Sequence, residues 1–355
     1  MRCAVLTAFC LACLPLMSSA STYLVRPDGS GDFSTIQTAV SAAVDGDVIE
    51  LADGVFSGPG NRNVGYEGKA ITVRSESRDP SLCIIDCENP TGMSRAFLFV
   101  AGEGPLSVLE GVTIRNGAGC DVSSMCWGGA ILCMNTAPTI IGCVFRNNAN
   151  DDIEGFSSGG AIFSASESGV GATVIDCVFE DNRSNSGGAL CGVFALVRGC
   201  TFLRNRAIGQ SGGAAYFGAW ARVENCTVWD NDSDSGSGFA IGRETKVEMS
   251  NCIVTFNRGG AGVEVLSDGV VTLECCDLFG NEGGDWVGGI ATQADARGNL
   301  CLDPLFCGTE LMLHADSPCA PEQNPACGLI GAWPVGCGSS PVLQTTWGAL
   351  KATYR

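Results

Sequence analysis

A cysteine followed five residues later by an asparagine recurs six times between Gly128 and Asn281, and this recurrence limits what the chain can fold into more than any other feature. The pairs are Cys143/Asn148, Cys177/Asn182, Cys200/Asn205, Cys226/Asn231, Cys252/Asn257 and Cys276/Asn281. Each is preceded by a small-residue turn, Gly-Gly-Ala or a close relative, ending at Ala130, Ala161, Ala189, Ala214, Ala240 and Ala261. Successive cysteines lie 34, 23, 26, 26 and 24 residues apart. A unit of that length restated with variable loops signals a solenoid, a propeller or an array. A propeller blade needs roughly 40 residues and a leucine-rich repeat needs its leucine spacing, and neither fits. A coil of three short strands and three turns fits about 25 residues, which predicts roughly ten rungs between Val48 and Gly331.

The rest of the chain agrees with a solenoid of strands. From Ala70 onward, short apolar runs alternate with glycine, asparagine and acidic turns, as in Ile71-Thr72-Val73, Phe97-Leu98-Phe99-Val100 and Val112-Thr113-Ile114. Such runs read as strands of four to six residues with no helical stretch between them. In a coil, rungs stack at about 4.8 Å and equivalent positions form rows of like side chains. The six cysteines then form an inward row of thiols, since cysteine behaves as a small apolar residue. The six asparagines follow a strand, where an amide can accept a left-handed backbone and pass hydrogen bonds between rungs. Asn182-Arg-Ser and Asn231-Asp-Ser match the glycosylation sequon, but ladder asparagines pointing inward make poor acceptors.

Charge and composition exclude whole classes of function. With 49 glycines, 16% charged residues and 45% hydrophobic residues in 355, the chain is hydrophobic enough to bury a core. A net charge of −18 with only three lysines opposes binding to phosphate backbones or anionic lipid, so no nucleic-acid partner is expected. The single histidine, His314, lies outside the coil and removes histidine-based triads and most zinc sites. Residues 1–20 read as a secretory signal, with Arg2, an apolar stretch from Cys3 to Met17, and Ser18-Ser19-Ala20 as a cleavage site. Cleavage there removes three of 21 cysteines and delivers the chain outside the cytoplasm, with no transmembrane segment in the mature protein.

Residues 21–47 supply a first strand at Tyr23-Leu24-Val25-Arg26 and a helix to about Val44. A capping box of Ser34 with Gln37 is expected, with Ile36, Ala39, Val40 and Ala43 on one face. Laid across the open end of a β-coil, this helix is a cap. The run from Asp28-Gly-Ser-Gly-Asp to Gln37-Thr-Ala-Val, with Asp45-Gly-Asp behind it, resembles the N-terminal cap of right-handed parallel β-helix proteins of the pectin-lyase-like superfamily. The resemblance implies an all-β, single-stranded right-handed parallel β-helix with a short N-terminal capping helix, the coil covering 48–297. A second resemblance lies in the repeat. Gly-Gly-Ala-Ile at 128–131 and 159–162, with Phe145-Arg-Asn-Asn148 and Phe179-Glu-Asp-Asn182, is similar to the GGA[ILV] and FxxN motifs of polymorphic outer membrane protein repeats. Those are secreted β-helical surface proteins and adhesins, which implies a bacterial surface role.

Residues 298–337 form a Cys-rich C-terminal cap, whose Cys301, Cys307, Cys319, Cys327 and Cys337 are disulfide candidates together with Cys83/Cys87 and Cys120/Cys126. Residues 338–355 read as a linker and sorting tail with Trp347, Leu350, Lys351 and Tyr354 on one helical face. It resembles short terminal signals of secreted β-helix proteins.

No catalytic residue is assigned. The coil has arginines but no histidine, and no motif singles one arginine out as a lyase base. The candidate binding residues are an acidic turn edge beside the asparagines: Asp151, Asp152, Glu154, Asp181, Asp230, Asp232 and Asp234. Stacked turns could gather some of these around one Ca²⁺, the one cofactor the sequence suggests; the competing reading is a solvated acidic edge. The sequence points to a secreted or cell-surface protein that binds carbohydrate or another cell-surface ligand without catalysis, adhesin-like in role. The alternatives are a Ca²⁺-dependent polysaccharide lyase, a chemistry this fold often carries, and a structural surface spacer.

Overall fold

A computed structural model describes residues 20–88, 92–119, 126–150, 157–209, 211–308 and 311–338. The chain winds as a parallel β-helix. One turn runs from Ala172–Ile175 through Val178–Glu180, Arg183–Ser184 and Leu190–Gly192 before Phe194–Arg198 begins the next. Stacked turns build sheets of ten, nine, five and eight strands in that order around the coil. The five-stranded sheet, made of two-residue strands, is a fourth side that three strands per rung did not anticipate.

The cysteine-to-asparagine spacing has a simple physical origin. A residue with left-handed backbone precedes each cysteine (Gly142, Asp176, Gly199, Asn225, Asn251, Cys275), and another precedes each asparagine (Asn147, Asp181, Arg204, Asp230, Phe256, Gly280). Between the two corners lies one three-residue strand of the nine-stranded sheet. The left-handed step thus falls one residue before the asparagine rather than on it, because it turns the chain so that the next side chain points inward. Phe145, Phe179 and Phe202 fill the interior of that sheet in near-parallel stacks 4.9 and 5.0 Å apart, followed in register by Val228, Val254 and Leu278.

The small-residue turn is a third such corner. Gly128, Gly159 and Gly187 are left-handed. A Cβ on Gly129, Gly160 or Gly188 would meet a carbonyl oxygen of the next rung at 2.1 Å, so backbones touch there. Ala130, Ala161, Ala189 and Ala214 share one column, but Ala240 and Ala261 do not: Gly238 and Gly262 hold those places. At Gly238 a Cβ would strike Gly262 O at 2.4 Å and Val254 at 2.8 Å, so only glycine continues the column.

Both ends of the coil are closed. At the start, helix Ile36–Ala42 buries Ile36, Ala39 and Val40 against the first rungs. Its capping box is Thr35 with Thr38, one residue beyond the Ser34/Gln37 pair expected from sequence, and Ala43 leaves the helix in extended geometry. Gln37 instead reaches the second rung, donating to Gly65 O and accepting from Gly65 N–H. At the far end a 3₁₀ turn, Gly288–Gln293, buries Ile290, and Gln293 completes the last long strand through Leu273 N–H and Val271 O.

Residues 301–308 and 311–338 fold back as a strap over the outer face of the nine-stranded sheet, carrying a small three-stranded sheet of their own. Cys275–Cys327 ties the strap to the coil and Cys307–Cys337 closes its small sheet. Beneath it a second core gathers Ile253, Leu313, Cys319 and Ile330. Cys126 is disulfide-bonded, whereas Cys120 lies outside the described residues. Cys83 and Cys87, expected to pair, are instead buried thiols; burial pushes each up to about 12. Both point into the core on one face of the strand Cys83–Asp86 and its continuation, with Ile85 between them, so four residues of extended chain, about 13 Å, hold the thiols apart. Cys301 is an exposed thiol and Cys319 a buried one. Among the described residues no helix is long and apolar enough to cross a membrane.

Candidate functional site: a groove between coil and strap

The six asparagines are fully or almost fully buried and use every polar atom of their amides. Each Nδ2 donates to the Oδ1 of the next rung, at 2.8–3.0 Å from Asn148 to Asn281, and each backbone N–H up to Asn257 donates to that same oxygen. The second Nδ2 hydrogen goes to a carbonyl of the preceding rung, such as Phe145 O or Phe179 O. Gly117 N–H opens the row and Asp285 Oδ1 accepts from Asn281 at its end. Asn182 and Asn231, inside this row, cannot serve as glycan acceptors.

The six cysteines are equally buried but bond differently. Each Sγ donates to the carbonyl two residues earlier on its own rung, at 3.2–3.4 Å, as in Cys177 to Ile175 O and Cys200 to Arg198 O. Burial holds Cys177, Cys226 and Cys276 well above the ordinary thiol range, so they stay protonated.

The acidic edge is not a set of carboxylates open to a cation. Asp181 takes Arg204 at 2.9 and 3.1 Å through two nitrogens. Glu180 is held by Arg146 and again by Arg204. Asp230 takes Arg258 at 2.8 Å and Asp232 takes Arg206 at 3.3 Å. The reason is register: Arg183, Arg206, Asp232 and Arg258 stack in one column beside Asp181, Arg204 and Asp230, so each of these carboxylates meets an arginine of an adjacent rung. Asp234 is exposed beyond that lattice, Glu282 accepts from Gly259 N–H, and Asp285 caps the asparagines. Asp151, Asp152 and Glu154 lie outside the described residues. Among the described residues no three His, Cys, Asp or Glu side chains group as a metal site.

Beside this lattice lies a groove of about 540 Å³. Its floor comes from three consecutive rungs of the coil: Leu203 and Arg204, Trp229, and Phe256. Its opposite wall is the strap, through Asp303, Leu305, Phe306, Gly308 and Leu311. Phe256 is 38% exposed and Leu305 40%. Arg204 and Phe256 are the two bulky side chains in a left-handed row otherwise made of Asn, Asp and Gly. A bulky left-handed residue costs about 1–2 kcal/mol, which makes both positions conspicuous. Sequence reasoning found Asp181 and Asp230 at this corner but missed Arg204, Trp229, Phe256 and the strap residues. One signal was present: outward strand positions change from Arg146 and Glu180 to Leu203 and Trp229, on rungs that the strap covers.

The fold places the chain in a class. Residues 129–301 match the family described as right handed beta helix region, and the molecule is a right-handed parallel β-helix. Pectate lyase Pel9A superposes with a TM-score of 0.51 at 13% identity, covering 92% of this chain and 96% of that one. A PL6 family alginate lyase, AlyGC, gives 0.24 at 12% identity, covering 92% of this chain and 58% of that one. A mannuronic acid specific family 6 lyase from human gut microbiota gives 0.25 at 12%, covering 82% and 89%. At these identities the pectate lyase likeness is one of fold. Among curated proteins none matches this sequence.

Proposed function

We propose that this chain is a secreted or cell-surface carbohydrate-binding protein that acts without catalysis, with the groove between coil and strap as its binding site. The groove carries the reading. Two aromatic side chains from adjacent rungs and a third on the strap face one open channel with a single arginine and a single aspartate on its walls. Aromatic faces hold the C–H faces of sugar rings, while a few fixed polar groups take the hydroxyls. The export signal and two disulfides, which persist in oxidising surroundings, support an extracellular location. The repeat's likeness to surface adhesins supports placement at a cell surface.

The acidic residues beside the groove are occupied by arginines, which favours binding over Ca²⁺-dependent elimination at this corner. The test is a glycan array with purified mature protein, paired with an assay for unsaturated ends released from acidic polysaccharides in calcium. Array signal without turnover supports the proposal. Turnover abolished by substituting one arginine overturns it in favour of a lyase.

A further inference from the structure

We infer that the groove takes a neutral oligosaccharide lying along the coil axis and rejects polyuronates, a ligand class that rests on the carbohydrate reading above. The first reason is charge. Arg204 is the only cation on the described groove lining, and its guanidinium is already forked onto Asp181 and shared with Glu180. The neighbouring cations are spent in the same way, Arg146 on Glu180, Arg206 on Asp232 and Arg258 on Asp230. A uronate entering here would have to displace carboxylates that are tethered in place. It would also face Asp303 on the opposite wall, in a chain of net charge −18.

The second reason is that the remaining groups suit hydroxyls and C–H faces. Asp303 accepts from Leu305 N–H at 2.9 Å through one oxygen, and its carboxylate has further lone pairs for a sugar hydroxyl. Trp229, Phe256 and Phe306 supply rings, with Leu203, Leu305 and Leu311 between them. The third reason is length. Leu203, Trp229 and Phe256 belong to three successive rungs, and two rung steps span about 10 Å, the reach of two linked pyranose rings. Phe256 is also fixed edge-to-face on Phe279, with centroids 5.7 Å apart, so its ring is preorganised.

The test titrates the mature protein with cellotriose, mannotriose, maltotriose and trigalacturonate by calorimetry, with circular dichroism melts to verify that variants fold. At least one neutral trisaccharide is expected to bind, and Trp229→Ala to weaken it about tenfold or more. Trp220→Ala serves as a control, since Trp220 is 45% exposed but off the groove lining, and is expected to change nothing. Glu180→Gln combined with Asp181→Asn releases Arg204 and is expected to create trigalacturonate binding. Trigalacturonate binding to the wild type, lost in Trp229→Ala, would overturn the neutral class while leaving the carbohydrate reading intact. Neutral binding indifferent to Trp229→Ala would overturn the site. Binding of neither class would overturn the carbohydrate reading itself.

Discussion

The nine-stranded sheet is flanked by two corners that share one geometry, a left-handed residue followed by a buried inward side chain, yet they are secured from opposite sides. The asparagine corner is stitched from within by an unbroken amide row. The cysteine corner has weaker thiol bonds inside: each Sγ returns to its own rung at 3.2–3.4 Å and reaches a carbonyl of the preceding rung only at 3.6–3.9 Å. It is secured from outside. There the left-handed residues Asn225 and Asn251 donate to Leu329 O and Cys327 O of the strap, and Cys275 is bonded to Cys327 itself. A corner held from inside leaves its outer surface available, and that is where the groove lies. A corner held from outside gives its surface to the strap.

The contrast can be broken first at the asparagines. Asn205→Ala strands Asn182 N–H and Nδ2–H in a dry interior and should lower the unfolding free energy by about 3 kcal/mol or more in urea titration. On the other corner, Cys275→Ser removes the outer tie and should cost about 2 kcal/mol, read as faster amide exchange at Gly331 and Ala332, with the coil intact.

A pH dependence follows from Asp277, fully buried under the strap with donors only from Leu302 N–H and the Cys319 thiol among its described bonds. Burial raises its carboxyl to about 6, with Asp285 and Asp303 adding to the rise against these hydrogen bonds. The folded state therefore holds a proton that the open state releases. The stabilisation is complete below the ordinary carboxylate range and is lost as pH climbs through 6. Strap protection, corrected for intrinsic exchange, should fall about tenfold, roughly 1.4 kcal/mol, from pH 5 to 7.5. Asp277→Asn should flatten that slope. Cys200→Ala, which removes only one small buried group, should cost about 1 kcal/mol, far less than its asparagine counterpart. The smallest effect sharpens the reading of the groove. Phe256→Asn relieves left-handed strain while losing a ring contact, so stability should change by less than about 1 kcal/mol while glycan binding falls.

The parts of this molecule that could be read from sequence are those that repeat. A left-handed step, a three-residue strand and a second step are local and recur at fixed spacing, so Cys143/Asn148 and its copies disclose the coil. The helix cap was one residue off because Ser34, Thr35 and Thr38 offer competing hydroxyls. The groove was hidden because its floor varies from rung to rung and its wall is the strap, whose contacts have no period. The acidic edge misled because Asp181 and Asp230 are conspicuous along the chain, whereas Arg204 and Arg258 meet them only across rungs. Cys275 was overlooked as a disulfide partner because it stands next to the ladder cysteine Cys276.

The strap also dictates an order of assembly. Rung-to-rung bonds within the asparagine row join residues 23 to 34 apart, such as Asn182 to Asn205 and Asn148 to Asn182, and each is available as soon as one more turn has been laid down. Trp333 reaches Thr201 across 132 residues and Ala332 reaches Thr227 across 105. Closing loops of that size before the intervening coil exists is entropically unfavourable, whereas the finished coil brings the same groups together. The coil therefore elongates as a one-dimensional stack and the strap latches last, so the groove, whose second wall is the strap, is completed in the final step of folding.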